Sequence, residues 1–451
     1  MGIFDALTTA VSGLQAQSFA LQNISGNIAN SQTVGYKETD TAFQDLVSTA
    51  ALGQQTAGGV FAGSTATNTV QGTIQNTSVS TDMAVDGDGW FVVAQPSGSV
   101  GGGAQQQFSG VNYFTRRGDF QLNQDGYLVN GAGYYLEGIP LNPATGDPTA
   151  SSPQVLQFNN AFLPAQATSQ IDYQANLPST PSSQAFTLSD YSVNPLDTGS
   201  GGTGTVVGND ASTFQSQSLD GGSVTAYDTE GNPVNVQLRW AETGTSGGNS
   251  TWELYYQTNS NATGTQVAWQ NTNTQFTFNS SGQMTSPTST SLSLPNLTVN
   301  GDTVGNVTVN YGSGGLTQYA SSTGNVQVST ITQNGFTAGQ MQSLSVDSQG
   351  QIVGSFSNGQ TVALANVSLA TFNGQDSLEP LNGEAYAATP DSGNPIYSAT
   401  GKVVGSSLEA SDVDIATQFS QLIVAQQAYS ANARVMSTAD QMIQSLLTVI
   451  Q

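Results

Sequence analysis

Apolar residues recur every seven positions at both ends of the chain and every second position through much of what lies between. Toward the C-terminus the sevenfold series runs Leu408, Ile415, Leu422, Tyr429, Met436, Ile443 and Ile450, with Phe419, Ala433 and Leu447 on a second track. Toward the N-terminus it runs Leu7, Leu14, Leu21 and Ile28, flanked by Ile3, Phe4, Val11 and Ile24. A 3.5-residue period marks helices that meet other helices along a continuous seam. The spacing therefore predicts coiled-coil helices over 1–30 and 408–451. Between them the period falls to two. Gly89–Val93 reads as a buried strand, and Tyr113–Leu122 with Tyr127–Val129 as a hairpin about Asn123-Gln124-Asp125-Gly126. Turn signals recur at Glu230-Gly231, Ser281-Gly282, Gln349-Gly350 and Asn358-Gly359.

These elements predict a mainly β chain with terminal α-helical coiled-coil segments, built as nested domains. Residues 1–30 and 408–451 form the helical part, and 31–76 an extended connector with a short helix near Ala42–Ala51. A first β-domain takes 77–164 and 321–407. Residues 165–320, with Ser/Gly-rich loops at Gly199–Gly204 and Thr243–Asn249, form an inserted outer β-domain. Such nesting brings the two helical ends to one pole.

Charge changes the picture of the seam. Residues 1–30 hold one charged side chain, Asp5, and 408–451 only Glu409, Asp412, Asp414, Arg434 and Asp440. A two-stranded coiled coil in water normally carries Glu and Lys beside its seam. Here those places hold Gln, Ser, Asn, Thr and Ala, which tolerate further helices on several sides. The series thus predicts an assembly interface made by Leu7, Leu14, Leu21, Ile28, Leu408, Ile415, Phe419, Leu422, Tyr429, Met436, Ile443, Leu447 and Ile450. One apolar stripe does not offset the entropy of ordering such long segments, so both ends are expected to fold on assembly.

Thirty acidic residues against six basic ones give a formal charge of −24, yet only 8% of residues are charged, against about 25% ordinarily. Without a basic patch there is nothing to release phosphate counterions, so nucleic-acid binding is excluded; anionic lipid would repel the chain. No stretch approaches the length of a membrane-spanning helix, and Met1–Ala10 lacks the basic start of a cleaved leader. The absence of cysteine and histidine removes disulfides, Cys/His zinc sites and Ser–His–Asp triads. Asp82, Asp86 and Asp88 lack the further ligands of an EF-hand and read as a turn before a strand. Arg117-Gly118-Asp119 sits in an alternating strand and reads as structural. The glycine runs at Gly101–Gly103 and Gly199–Gly204 lack the strand-before, helix-after setting of a phosphate loop. No spacing selects a carboxylate pair for glycoside hydrolysis. No catalytic, cofactor or metal residue is assigned.

With the ends and the nesting in hand, the chain resembles the bacterial flagellar rod and hook axial proteins, most closely the hook members. Asn23-Ile24-Ser25-Gly26-Asn27-Ile28-Ala29-Asn30-Ser31 resembles the family's signature, followed by Val34-Gly35-Tyr36-Lys37 and Phe43-Gln44-Asp45-Leu46. Asp82-Met83-Ala84-Val85, Gly89–Val93 and Phe114-Thr115-Arg116-Arg117-Gly118-Asp119-Phe120 resemble the next motifs. So do Leu408-Glu409-Ala410-Ser411-Asp412-Val413-Asp414, Ile423-Val424-Ala425-Gln426-Gln427-Ala428-Tyr429 and Thr438-Ala439-Asp440-Gln441-Met442. Val224–Pro233 and Asn334–Gly339 are similar to the opening hairpin and return strand of the hook-type insertion.

The resemblance implies a structural, non-enzymatic subunit, exported without a cleaved leader through the type III apparatus. Such a subunit adds under a hook cap to an open helical homopolymer, between the distal rod and the hook–filament junction proteins. It implies helices around a central channel, β-domains in two outer shells, and a universal joint outside the cell, with neither nucleic-acid binding nor membrane insertion. The lysine–cysteine crosslink of some hooks has no cysteine here. A distal rod protein and, further off, a secreted β-rich adhesin or hydrolase are the alternatives.

Overall fold

The structure, a computed structural model, describes residues 3–45, 59–100, 105–143, 145–158, 162–397 and 401–450. Among these the chain is mainly β, with three α-helices: α1 (Ile3–Ala29), α2 (Ala211–Ser216) and α3 (Ile415–Ile450). Two compact units are distinguished. The first comprises Met1–Ala161, Met341–Ser355 and Thr361–Gln451; the second comprises Phe162–Gln340 and Phe356–Gln360.

In the first unit the strand Trp90–Val100 lies between Gln105–Thr115 and Tyr135–Pro140, antiparallel to both. Its run Trp90-Phe91-Val92-Val93-Ala94 is buried on both faces, which is why it reads as a continuous apolar stretch rather than an alternating one. Trp90, Val92, Phe114, Ala370, Phe372, Leu378 and Tyr386 form one core cluster. Two short antiparallel pairs join distant parts of the sequence: Met83–Asp86 with Lys402–Gly405, and Ile74–Asn76 with Ser407–Glu409.

Two expectations are corrected here. The connector is not merely extended and begins no helix at Ala42. Thr39–Asp45 and Val60–Ala66 are an antiparallel hairpin, and the rest of the expected short helix, 46–51, lies outside the described residues. The hairpin is poor in bulky apolar groups and is tied to α1 by polar bonds, Asn23 Nδ2 to Thr41 Oγ1 (2.9 Å) and the Val60 amide to Ser12 Oγ (3.2 Å). Leu408 belongs to a strand and not to the terminal helix, which starts at Ile415. Asp414 sets that start by accepting the Thr417 amide (3.0 Å), an N-cap bond.

The second unit stacks two sheets. One has the order Thr205–Val207, Val267–Phe278, Asn249–Gln257, Pro233–Ser246, Leu219–Tyr227; the other contains Ser291–Val299, Asp302–Asn310, Gln170–Asn176 and Gln327–Gln333. Tyr173, Trp240, Trp252, Phe276 and Tyr311 fill the space between them. The Trp240 indole donates to the Tyr173 hydroxyl (2.9 Å), which donates in turn to the Gly221 carbonyl (2.9 Å). The buried polar tips are thereby satisfied.

Hairpin turns in both units share one device. Asn123, Asn130, Asp228, Asn279 and Asp347 each accept, through Oδ1, the amides two and four residues ahead. The third residue ahead is in every case a glycine with φ between +75° and +88° (Gly126, Gly133, Gly231, Gly282, Gly350), a conformation that costs other residues steric strain.

Candidate functional site

Three of the stretches that carry the family resemblance converge on one buried carboxylate. Glu409, wholly buried, receives Lys37 Nζ on Oε1 (2.6 Å) and Arg116 Nη1 on Oε2 (3.2 Å). The Gly72 amide adds a third donor to Oε1 (2.9 Å). Arg116 also donates to the carbonyls of Val85 (3.3 Å) and Gly87 (2.9 Å), and its guanidinium lies 5.4 Å from the Trp90 ring centre. Two of six basic residues are spent on one point. Burial holds the Lys37 ammonium below its ordinary pKa, and the Glu409 charge pulls it part of the way back. Close backbone approach around this knot demands glycine. Gly35, at φ +70°, has the Arg117 amide 2.6 Å from where a Cβ would stand. A Cβ on Gly72 would meet the Ala410 carbonyl, and one on Gly118 the Met83 carbonyl.

Beside the knot, Asn27 joins α1, α3 and the hairpin. Its Nδ2 donates to the Thr39 carbonyl (3.0 Å) and to Gln418 Oε1 (3.2 Å). Its Oδ1 accepts the Thr39 amide (3.0 Å) and the Tyr36 hydroxyl (3.1 Å). Gln418 in turn donates to Glu38 (2.7 Å). Asn30 closes the end of α1 by donating to the Gly26 carbonyl (3.0 Å). Asp412 accepts the Glu38 amide (2.7 Å) through Oδ1, while its buried Oδ2 has no partner. Burial pushes its carboxyl up to about 6 against that bond.

The helices α1 and α3 run antiparallel along small residues. Asn27 meets Gln418; one heptad on, Ala20 and Ala425 are both buried; one further, Gly13 takes Asn432, whose Nδ2 lies 2.8 Å from the position of a Gly13 Cβ. Ala439, also buried, continues the series on α3. Small side chains let the axes approach closely. They also leave the larger apolar residues elsewhere.

Four of the expected seam residues on α3 point to solvent in the single chain. Ile415 (43%), Phe419 (51%), Tyr429 (43%) and Met436 (40%) are exposed, as are Ile423, Val424, Val435 and Met442. Leu7, Leu14, Leu21, Ile28, Leu422 and Ile443 are half-buried. The side chains of Leu447 and Ile450 lie outside the described residues. Of the remaining motif residues, Ala29 and Gln426 are exposed. A cleft of about 400 Å³ opens between the helices and the hairpin, walled by Ala20, Ile24, Phe43, Val424, Ala425 and Ala428.

No group of three or more acidic side chains is placed to hold a metal ion among the described residues. Asp82 accepts from the Thr77 hydroxyl (2.8 Å). Arg117 and Asp119 chelate one another through two bonds (2.9 and 3.0 Å), with Glu384 a further 2.9 Å partner of Arg117. That tripeptide is structural. Sequence reasoning quoted Glu409 and Arg116 in motifs but gave them no role, and it missed Gln418 and the seam through Gly13 and Asn432. The scarcity of cations was the available signal for the knot.

Four family descriptions match the chain along its length. "Flagella basal body rod protein" matches 7–37, "Flagellar hook protein FlgE/F/G D1 domain" 84–176, "Flagellar basal body protein FlaE D2 domain" 209–336, and "Flagellar basal body rod FlgEFG protein C-terminal" 404–449. The flagellar hook protein FlgE of Brucella abortus is 29% identical over 100% of both chains. That of Salmonella typhimurium is 28% identical over 98% of this chain and 100% of its own. The crystal structure of Helicobacter pylori flagellar hook protein FlgE2 is 16% identical, with a TM-score of 0.49 over 74% of this chain and 100% of that one. The knot and the Asn27 hub fall on the stretches that these rod and hook families share, and the chain belongs to the flagellar hook protein family, the structural subunits of the hook of the bacterial flagellum.

Proposed function

We propose that the chain works as a self-polymerising, non-enzymatic universal joint, passing motor torque to the filament while the tube bends. The observation that carries this reading is the division of labour on α1 and α3. Small residues line the contact of the pair within one chain, and large apolar residues of α3 and the cleft stay open to solvent. Contiguous exposed apolar surface of this kind marks an interaction site. Its occupants are further copies, through head-to-tail contacts that generate an open helix rather than a closed ring.

In this reading residues 1–30 and 408–451 build the inner tube and the connector 31–76 braces it. The β-domain, expected over 77–164 and 321–407, and the inserted domain, expected over 165–320 but reaching Gln340 and taking Phe356–Gln360 in the second unit, make the outer shells. A helix that leaves so many large apolar residues in solvent gains much of its burial on assembly, which supports folding of the ends as the polymer forms. Subunits leave through the flagellar type III apparatus and add under a hook cap, between the distal rod and the hook–filament junction. The chain is sparsely charged and rich in hydroxyl side chains, which lets neighbouring outer domains slide at small cost.

Electron microscopy of the purified full chain tests this. A curved tubular polymer is expected; a straight tube would make it a rod protein, and monomers alone would sink the polymer reading. Leu422→Glu and Ile443→Glu should each abolish tubes while the β-structure stays folded by circular dichroism.

A further inference from the structure

Glu253, on the strand Asn249–Gln257 of the second unit, is wholly buried without a cation. The sheet face it shares with Tyr255 is covered by the segment 186–216, whose Phe214 packs 4.7 Å from the Tyr255 ring and 5.5 Å from Trp269. The Tyr255 hydroxyl stands 3.0 Å from the Pro195 carbonyl of that cover and 2.9 Å from Glu253 Oε2. Asn271 Nδ2 donates to the same Oε2 at 2.6 Å. A phenol carries one proton and cannot donate to both oxygens. With Glu253 ionised, one of these contacts has no hydrogen in it, and the carboxylate's Oε1 lacks a partner as well. A proton on Oε2 completes the count: Glu253 donates to Tyr255, and Tyr255 donates to Pro195.

The surroundings agree. The groups that face Glu253 are Tyr255 on its own strand, Asn271 on the neighbouring strand Val267–Phe278, and Asp197 on the cover; Tyr191 of the cover faces Tyr255. None is cationic. Farther along the cover Asp210 is held by Ser192 (2.9 and 2.7 Å) and Asp190 by Gln217 (2.7 Å). Arg239 is committed to Ser218 (2.8 Å) and Gln215 (2.9 Å).

We propose that Glu253 is a proton-operated latch, which when protonated clips the 190–204 cover to the sheet through Tyr255 and Pro195, and when ionised releases it. Burial, seconded by the Asp197 charge, pushes the carboxyl from 4.5 up to about 7 despite the bonds from Tyr255, Asn271 and the Asp197 backbone amide. With the closed-state value raised, the latch is at full strength below 4.5 and is lost as pH rises through about 7.

Hydrogen exchange on the full chain, corrected for intrinsic rates, tests this at pH 5 and pH 8. In the unmodified protein the opening equilibrium of amides in 190–204 should rise roughly 10- to 100-fold between the two. Glu253→Gln, which carries no ionisable proton, should show equal protection at both. Tyr255→Phe should leave the cover more open at pH 5 than it is in the unmodified protein, because the protonated carboxyl then has no hydroxyl to clip to Pro195. An unmodified protein with no pH response, or Glu253→Gln with the full response, overturns the latch. If Glu253→Gln does not fold, Tyr255→Phe decides: a cover as protected at pH 5 as in the unmodified protein overturns it.

Discussion

Glu409 and Glu253 are both wholly buried carboxylates, and the two units of the molecule treat them in opposite ways. The first unit surrounds Glu409 with Lys37, Arg116 and a backbone amide. The second gives Glu253 a phenol, an amide and a neighbouring acid. A buried charge must be paired, or it gives the charge up. Pairing yields a fixed joint that draws together Lys37, Arg116 and Glu409, far apart in sequence. Going without a cation yields a group whose state follows pH. The difference teaches where this chain is built to stay put and where it can give.

Breaking the paired member should have the largest effect. Glu409→Gln leaves Lys37 and Arg116 facing each other in a dry site, and removing one partner of a buried pair costs about 3–5 kcal/mol. The loss should appear as reduced hydrogen-exchange protection along Met83–Asp86 and Lys402–Gly405, the strands beside the knot. Near-native protection would mean that the shell of backbone carbonyls suffices for the cations.

The same change at the unpaired member should act with the opposite sign. Glu253→Gln removes an ionisable group whose pKa stands near 7 rather than 4.5, so the variant gains on the unmodified chain as pH rises through that window. At pH 8 the gain in stability of the second unit should be about 2–3 kcal/mol, with almost none at pH 4. Urea unfolding of the full chain, read in this unit by its tryptophans Trp240, Trp252 and Trp269, measures it.

How far each member was legible in the sequence follows from what sequence patterns carry. Strands such as Trp90–Ala94 and the Asn/Asp-x-x-Gly turns announce themselves, because apolar period and left-handed glycine are local requirements. The large apolar heptads were legible too, yet the residues that join α1 to α3 are Gly13, Ala20, Asn27, Gln418, Ala425 and Asn432. Small and polar residues leave no hydrophobic trace, so the intrachain seam was invisible beside the larger stripe. The hairpin from Thr39 was missed for the same reason. Glu409 stood in a recognised motif, but its partners lie 372 and 293 residues away, and only folding brings them together.

Asp412 stands between the two extremes. It keeps one amide bond, has an orphaned oxygen, and is pushed up to about 6 by partial burial. Its folded-state value exceeds the ordinary 3.8, so it too favours the folded chain most at low pH and loses that contribution as pH rises through about 6. Asp412→Asn keeps an acceptor for the Glu38 amide and should flatten this dependence, gaining about 1–2 kcal/mol at pH 7 after discounting for solvent. Unfolding curves at pH 4 and pH 7, followed by helical circular dichroism, give the two values. An unchanged slope would show that water already serves the second oxygen.

The smallest effect should come from the ion pair nearest the surface. Arg117 and Asp119 are joined by two bonds of 2.9 and 3.0 Å, where Lys37 and Glu409 share one of 2.6 Å, but their side chains are 20% and 23% exposed. Solvent screens such a pair, and Arg117 keeps Glu384 when Asp119 is changed. Asp119→Asn should therefore cost less than about 1 kcal/mol, and added salt should shrink the cost further. A loss approaching that of Glu409→Gln would mean that burial is not what separates the strong joint from the weak one. The rule drawn from Glu409 and Glu253 would then fail where it is easiest to test.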